Sequence, residues 1–150
     1  MDHPTPEIVS QPARKLVGLE YVGLAKEGEI PKLWQTFMPR MSEVRRIKDT
    51  YGYARRAEPG SDAVRYLVGS EVADFDHIPE GMVGREVAGG PYASFECPSL
   101  DVLGDTIRWF YEEWIPASGY QAGEGMLEYY PPTFPGKPSF EVRFKVESRA

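Results

Sequence analysis

The most regular pattern in this chain is an alternation of hydrophobic and charged residues near its C-terminal end. The hydrophobic positions of this run are Phe140, Val142, Phe144 and Val146. A period of two places such residues on one face of a β-strand, so residues 140–147 predict a half-buried strand. Runs rich in β-branched and aromatic residues predict further strands over residues 13–24, 50–55, 63–72, 82–87, 92–96 and 126–130.

Two other segments have hydrophobic residues at the three- and four-residue spacing of an amphipathic helix. The first stripe consists of Leu33, Trp34, Phe37, Met38 and Met41. The second consists of Leu100, Leu103, Ile107, Phe110, Tyr111 and Trp114. A proline lacks the backbone N–H donor, so the helices are expected to kink or end near Pro39 and Pro116. Segments rich in Gly and Pro predict a turn over residues 58–62 and a loop over residues 131–139.

The helical segments belong to an internal repetition. Phe37-Met38-Pro39 recurs as Trp114-Ile115-Pro116, and an aromatic, strand-like run follows each of them. The order of elements recurs as well, which predicts a tandem pair of pseudo-symmetric strand-helix-strand-strand units, about residues 12–75 and 80–148. We therefore predict an α+β fold with a mostly antiparallel sheet, two helices on one side, and a ligand cleft between the halves.

Length and composition indicate one soluble domain. The 150 residues are interpreted as a loose N-terminal arm over residues 1–11 and a single domain over residues 12–150. No apolar run approaches the roughly 18 residues of a membrane span, and the N-terminus lacks the basic and apolar regions of a signal peptide. The one cysteine, Cys97, excludes an intramolecular disulfide and fits a reducing compartment. These features predict a cytoplasmic protein with no membrane partner.

The charged and metal-ligating residues argue against several functions. A formal net charge of −6 disfavours direct nucleic-acid binding, and the short clusters Arg45–Lys48 and Arg55-Arg56 are interpreted as solvated faces. His3 and His77 are far apart and there is one cysteine, so no metal site is predicted. No glycine loop has the spacing of a nucleotide site, and no cofactor is predicted. A nucleophilic pair of Cys97 and His77 stays open, although a small buried thiol is favoured.

Aromatic residues make up 13% of the chain, which is more than core packing usually needs in a small domain. Tyr and Trp offer flat apolar faces with a polar tip, and their π faces attract cations. Such residues line ligand pockets well, although most aromatic residues on a helical stripe pack in the core. The rings in the repeated elements that we consider for a pocket are Trp34, Tyr53, Tyr66, Trp109 and Tyr130.

Two glutamates on predicted strands are candidates for chemistry. Glu128 lies between apolar residues, and Glu71 lies on a strand of the other half. A carboxylate in an aromatic cavity has a raised pKa because of desolvation, unless a cation pairs with it. Such a group binds a cationic ligand or acts as a general acid or base. The alternative for both residues is a solvated position on the outer face of the sheet.

Several segments, in their order and spacing, resemble the GyrI-like small-molecule-binding family. This family includes the effector-binding domains of AraC-type and MerR-type multidrug regulators. The similar segments are Asp74-Phe75, Ile78–Gly81, Val87–Phe95, Trp114–Tyr120 and Leu127–Tyr130. The resemblance covers roughly residues 12–147 and implies two strand-helix-strand-strand units with a pocket between them. Only about a dozen residues precede the first predicted strand, so a stand-alone member without a helix-turn-helix is expected.

The resemblance also implies a function. Glu128 occupies the position at which relatives often have a glutamate, at the base of an aromatic pocket for lipophilic cations. We therefore predict binding of an amphipathic, cationic aromatic small molecule, for sequestration or effector sensing. The residues predicted to bind it are Glu128, Trp34, Tyr53, Tyr66, Glu71, Phe95, Trp109 and Tyr130.

Two further functions follow from what is described for stand-alone relatives. Some are hydrolases that open reactive, cyclopropane-bearing toxins. In a cofactor-independent hydrolase of this kind, Glu128 is the candidate catalytic residue, assisted by Tyr130 or Tyr53. Other relatives are described as gyrase inhibitors, so the second alternative is a regulator of a protein partner such as DNA gyrase or a transcription factor.

Overall fold

The structure, a computed structural model, describes residues 5–24, 26, 28–57, 60, 62–130 and 139–148. The strands are β1 (Glu7–Gln11), β2 (Arg14–Gly23), β3 (Arg46–Arg56), β4 (Val64–Val72), β5 (Val83–Val87), β6 (Gly90–Cys97), β7 (Tyr120–Tyr129) and β8 (Phe140–Ser148). The chain divides into unit I, residues 12–89, and unit II, residues 1–11 and 90–150. Strand pairing within each unit is antiparallel, which confirms the predicted α+β class.

Unit I is a four-stranded sheet with a helical segment packed on one face. Its strand order is β3-β4-β2-β5. Helix α1 (Glu29–Phe37) continues as a 3₁₀ segment, Met38–Glu43, with Pro39 in its first turn. The predicted helix is therefore confirmed, and it changes geometry next to the proline as expected. Its apolar stripe packs on a core that contains Val17, Phe37, Val44, Tyr66, Val68, Val72 and Met82.

Two glycines allow β2 and β4 to approach each other closely. Gly18 and Gly69 lie directly opposite one another in the register of the two strands. A Cβ atom added to Gly18 would lie 1.7 Å from the carbonyl oxygen of Val68. Only glycine fits at that position, because any side chain would collide with the backbone of the neighbouring strand.

Unit II is a four-stranded sheet with the order β1-β6-β8-β7. Its helical segment begins with a 3₁₀ turn, Leu100–Val102, and continues as α2 (Leu103–Trp109). The helix then widens to π geometry over Phe110–Trp114, where the Ile115 N–H donates to the Phe110 carbonyl, and closes with a helical turn over Ile115–Ala117. The second predicted helix is confirmed, with one wider turn in it. Such π turns occur often near functional sites.

Strand β8 confirms the alternation read from the sequence. Its four hydrophobic residues are almost completely buried: Phe140, Val142, Phe144 and Val146. Lys145 on the opposite face is also buried, which the alternation does not predict. Its Nζ donates to the carbonyl oxygens of Val146 at 2.9 Å and Pro91 at 3.4 Å. Backbone carbonyls therefore replace water around this ammonium group.

The structure corrects the prediction for the N-terminal end. Residues 1–11 are predicted as a loose arm, but Glu7–Gln11 form β1, which pairs with β6 over its whole length. The run is too short and too polar to stand out as a strand, and its backbone hydrogen bonds come from the partner strand. Strand β5, placed by sequence in the second repeat, pairs with β2 in unit I. The predicted turn over 58–62 and loop over 131–139 lie mostly outside the described residues.

Candidate functional site

Glu128 is a buried carboxylate on β7 of unit II. It is 5% exposed, although it is an acidic residue on a strand. In the register of the sheet it lies opposite Val142 on β8, and Val142 lies opposite Phe95 on β6. Directly opposed residues in antiparallel strands project from the same face. Glu128 therefore belongs to the buried, aromatic face of unit II.

The Tyr130 hydroxyl donates a hydrogen bond to Oε1 of Glu128 at 2.9 Å. The Tyr130 ring stacks on Phe140, with ring centroids 4.8 Å apart, and this contact fixes the direction of the hydroxyl. Burial raises the pKa of Tyr130 well above its usual value, and the nearby charge of Glu128 raises it further. The hydroxyl therefore stays protonated and remains a donor to the carboxylate.

Cys97 lies in the same electrostatic environment as Glu128. Burial raises the pKa of the Cys97 thiol, hydrogen bonds with Ser99 and Thr106 oppose this effect, and the charge of Glu128 adds to it. The thiol donates to the Ser99 carbonyl oxygen at 3.2 Å. A protonated, buried thiol is a poor nucleophile. His77, the other half of the nucleophilic pair considered above, is exposed and its Nε2 lies 3.2 Å from the Glu43 carbonyl oxygen.

The helical segment of unit II supplies a cluster of rings on this same face. Phe95 contacts Trp109 edge-on at 5.4 Å between ring centroids, and it contacts Trp114 at 6.3 Å. Phe110 stacks on Phe144 at 4.0 Å. Trp109 and Trp114 are only partly buried, whereas Phe95 and Phe110 are fully enclosed. Tyr111, which contacts Phe110 and Phe144, is 42% exposed, so Tyr111 and the two indoles are the rings of the cluster that are open to solvent.

The four residues predicted from unit I divide between the two faces of its sheet. Trp34 donates from Nε1 to the hydroxyl oxygen of Tyr66 at 3.0 Å, so these two form one group beside α1. Tyr53 lies opposite Leu67 in the register, one position along from Tyr66, so it projects from the other face. Glu71 also occupies that face, since it is five residues after Tyr66.

The side chains on the second face of unit I already have cationic neighbours. The Arg55 guanidinium lies over the Tyr53 ring, 5.8 Å from its centroid. Arg14 forms an ion pair with Glu71 at 2.8 Å, and both side chains are nearly buried. These contacts use the aromatic face and the negative charge that a cationic ligand would need.

Sequence reasoning missed an acidic residue with unusual surroundings, Glu20 on β2. Its side chain is 8% exposed and lies within 4 Å of three arginines, Arg55, Arg65 and Arg85. Arg55, interpreted from sequence as part of a solvated face, belongs to this cluster. Alternation along β2 places Glu20 on the same face as Leu16, but the arginines come from three other strands. No local sequence pattern predicts that these four side chains lie in contact.

In the part of the chain that the structure describes, no group of three or more His, Cys, Asp and Glu side chains is placed to hold a metal ion. None of the helices described has both the length and the apolar character needed to cross a membrane. The geometry thus offers a buried carboxylate, a hydroxyl donor and an aromatic cluster as the chemistry of unit II.

Comparison with known proteins gives matches over nearly the whole chain. A family model described as "Cass2: Integron-associated effector binding protein" matches residues 7–146. The transcriptional regulator BrlR of Pseudomonas aeruginosa is 31% identical over 132 residues, which are 86% of this chain and 49% of BrlR. The chain therefore spans about half the length of this curated relative.

Solved structures share the fold at low sequence identity. The integron cassette protein VCH_CASS2 from the mobile metagenome of Vibrio cholerae is 17% identical, with a TM-score of 0.66 and 97% of each chain covered. SAV2435, solved in complex with tetraphenylphosphonium, is 13% identical, with a TM-score of 0.73 and coverage of 95% of this chain and 93% of SAV2435. Together with the family match, these likenesses confirm the predicted GyrI-like effector-binding domain.

Proposed function

The chain belongs to the Cass2 family of integron-associated effector-binding proteins, and from this premise we propose that its effector is an amphipathic, cationic aromatic small molecule. Small-molecule effector binding is the function of the family, and the cationic, aromatic character of the ligand is our inference. The observation that carries it is Glu128, a carboxylate that is 5% exposed on an aromatic sheet face. Coulomb attraction to a cation is stronger in such surroundings than in water.

Other side chains of unit II also suit a lipophilic cation. Tyr130 donates to the carboxylate and stays protonated, so it helps to keep the negative charge in place. Trp109 and Trp114 are partly exposed and offer indole faces, which attract cations more strongly than other aromatic rings. Because Glu128 is 5% exposed, a ligand reaches it only if neighbouring side chains move. Tetraphenylphosphonium, the compound bound to SAV2435, combines one positive charge with four aromatic rings.

The test compares two ions of the same shape and opposite charge, tetraphenylphosphonium and tetraphenylborate. Glu128→Gln removes the negative charge with little change of volume. We expect it to weaken tetraphenylphosphonium by at least about tenfold, or about 1.4 kcal/mol. Binding of tetraphenylborate is expected to stay the same or to tighten. Both titrations are followed by tryptophan fluorescence, since Trp109 and Trp114 lie in the ring cluster, and calorimetry gives the affinities.

Glu124→Gln is the matched control, because Glu124 is an exposed residue on the same strand. An exposed charge contributes at most about 1 kcal/mol, so this variant should change either affinity by less than about fivefold. Equal losses in the two variants would show that only net charge matters. Unchanged phosphonium affinity in Glu128→Gln would place Glu128 outside the binding site.

A hydrolase is the second candidate, and the Glu128–Tyr130 pair favours it. A carboxylate and a protonated hydroxyl 2.9 Å apart can act as base and acid on one electrophile. The carboxylate would take a proton from water while the water oxygen forms a bond to one carbon of the strained ring. The ring C–C bond then breaks, the atom that receives its electron pair takes a proton from the Tyr130 hydroxyl, and Glu128 returns its proton to Tyr130. Incubation with a cyclopropane-bearing alkylator, followed by mass spectrometry, separates turnover from binding. A ring-opened product that disappears in Glu128→Gln and Tyr130→Phe supports hydrolysis, and equal product in all three proteins excludes it.

A further inference from the structure

The Glu20 cluster of unit I has more positive than negative charge. Arg85 binds the Glu20 carboxylate with two nitrogens, Nε to Oε2 at 3.0 Å and Nη2 to Oε1 at 2.9 Å. Its remaining nitrogen, Nη1, donates to the Gly84 carbonyl oxygen at 3.1 Å. All three nitrogens of Arg85 thus have partners. Arg85 and Glu20 form a fixed, neutral pair, and the positive charge of the other two arginines is in excess.

Arg55 and Arg65 make weaker contacts with the same carboxylate. Arg65 Nη1 lies 3.4 Å from Oε1 of Glu20, and Arg55 Nη2 lies 3.8 Å from Oε2, which is beyond hydrogen-bond distance. The side chain of Arg55 is 28% exposed and that of Arg65 is 36% exposed, so both are partly open to solvent. In the described part of the chain, every ion pair of these two arginines is with Glu20.

The register of the sheet brings these two positive charges together. Arg55 on β3 lies directly opposite Arg65 on β4. Cβ atoms of directly opposed residues are about 5 Å apart, and like charges in this arrangement are destabilising. One carboxylate shared with Arg85 does not neutralise both. The cluster therefore has three guanidinium groups and one carboxylate, although the chain as a whole has a formal net charge of −6.

We propose that Arg55 and Arg65 form a binding site for a phosphate monoester. Two guanidinium groups side by side offer paired N–H donors, which match the oxygen geometry of phosphate. The excess of two positive charges matches a phosphate monoester, whose charge at neutral pH is about −1.5 to −2. Glu20, paired with Arg85, lies next to both arginines, and the Arg55 guanidinium packs over the Tyr53 ring. The site is separate in composition from Glu128, since all of its residues belong to unit I.

The experiment is calorimetric titration of the full chain with inorganic phosphate and with phenyl phosphate, at constant ionic strength. Arg65→Gln and Arg55→Gln are expected to weaken both by at least tenfold. Arg56→Gln is the matched control, because Arg56 is the next residue on β3, exposed and on the opposite face. It removes the same charge and should leave the affinities within about twofold. Glu20→Gln should tighten phosphate, because the site then has one more uncompensated positive charge.

Three results would overturn the proposal. One is the absence of saturable phosphate binding by the wild type in the millimolar range. Another is an equal loss in Arg56→Gln and Arg65→Gln, which would reflect net charge alone. The third is equal affinity for succinate, which has a similar charge and a different geometry. Thermal unfolding of each variant verifies that it is folded. If Glu20→Gln does not fold, the comparison of Arg56→Gln with Arg65→Gln still tests whether Arg65 binds phosphate. Tetraphenylphosphonium affinity should be unchanged in Arg65→Gln, so failure here leaves the effector proposal intact.

Discussion

At the scale of single residues, the neighbours of a carboxylate decide its role more than its place in the sequence does. Glu71 and Glu128 both lie on strands, but Glu71 forms an ion pair with Arg14 and Glu128 accepts a hydrogen bond from Tyr130. Glu20 meets three arginines. The ion pairs of Glu71 and Glu20 join strands of unit I, whereas Glu128 lies on the aromatic face of unit II. This difference makes Glu128 the residue to mutate first.

Phe144 is the residue whose truncation should cost unit II most. It is fully buried, stacks on Phe110 at 4.0 Å and contacts Phe95 at 5.8 Å. Phe144→Ala removes these contacts and leaves a cavity that the sheet and helix cannot close. We expect a loss of about 3–5 kcal/mol in the free energy of unfolding. Urea denaturation followed by circular dichroism measures it.

Tyr111→Ala is the comparison for that loss. Tyr111 also contacts Phe110 and Phe144, but it is 42% exposed, so its truncation opens the site to water instead of creating an empty cavity. The expected loss is less than half of that for Phe144→Ala. Similar losses for the two variants would mean that ring contacts, and not burial, determine the stability of this core.

At the scale of elements, backbone geometry matters as much as side-chain pattern. The alternation of β8 sets which of its residues are buried, and the partner strands set where it lies in the sheet. The second helical segment keeps its apolar stripe through a change to π geometry between Phe110 and Trp114. That wider turn shifts the residues after it around the helix axis, and Phe110 and Trp114 end up stacked at 5.3 Å between their centroids. Phe110 and Trp114, at the two ends of this turn, both belong to the aromatic cluster of unit II.

The two glycines Gly18 and Gly104 should respond in opposite directions to the same substitution. A Cβ atom on Gly18 would collide with the β4 backbone at 1.7 Å, whereas one on Gly104 in α2 meets nothing within 4 Å. Gly104→Ala should raise the free energy of unfolding by about 0.5–1 kcal/mol, because alanine restricts the unfolded chain and favours a helix. Gly18→Ala should prevent folding or cost more than about 3 kcal/mol.

Thermal and urea unfolding of the two alanine variants test this contrast. Gly104→Ala is the control, because it makes the same substitution at a position where the added Cβ atom has no neighbour within 4 Å. A Gly18→Ala protein with wild-type stability would contradict the close approach of β2 and β4 in the structure.

At the scale of the whole molecule, both units depend on ionised carboxylates. Burial by itself would raise the pKa of Glu20, but the hydrogen bond from Arg85 and the charges of the three arginines lower it below its ordinary value of 4.5. The pKa of Glu141 in unit II is shifted in the same way. Burial by itself would raise it, but hydrogen bonds from Arg143 and Ser94 and the charge of Arg143 lower it below 4.5. The cytoplasmic location and the protein partner remain predictions, because the contacts of Glu20 and Glu141 bear on neither.

The protein should lose stability in acid, and Glu20 and Glu141 should account for part of this loss. A carboxyl with a lower pKa in the folded state binds fewer protons there than in the unfolded state. The contribution of such a carboxyl to the free energy of unfolding is therefore complete above pH 4.5. It disappears as the pH falls through the lower pKa of the folded state. The free energy of unfolding, measured in urea between pH 7 and pH 3, should decline below about pH 4.5.

Substitution of the two carboxyls tests their part in the acid response. Glu20→Gln and Glu141→Gln should each be less stable than the wild type at pH 7 and should show a flatter decline below pH 4.5. Glu124→Gln, at an exposed strand position, should keep the wild-type slope. An identical slope in all four proteins would assign acid sensitivity to other groups.

The amino-acid sequence by itself determined most of the elements and the family. Hydrophobic spacing predicts both helices and most strands, because the period of a buried face is a local property of the chain. Sequence motifs from Asp74 to Tyr130 carry the GyrI-like resemblance, which the family match confirms. The residue type of Glu128, between apolar neighbours, marks it as a candidate before any contact is known.

Only the tertiary structure decided which residues meet. Strand β1 is short and polar, and it becomes a strand because β6 supplies its hydrogen bonds. The register between β3 and β4 places Tyr53 and Tyr66 on opposite faces and sets Arg55 opposite Arg65. Glu20 meets arginines that are 35, 45 and 65 positions away along the chain. Contacts of that range arise from strand pairing and not from local periodicity, so no single stretch of the chain encodes them.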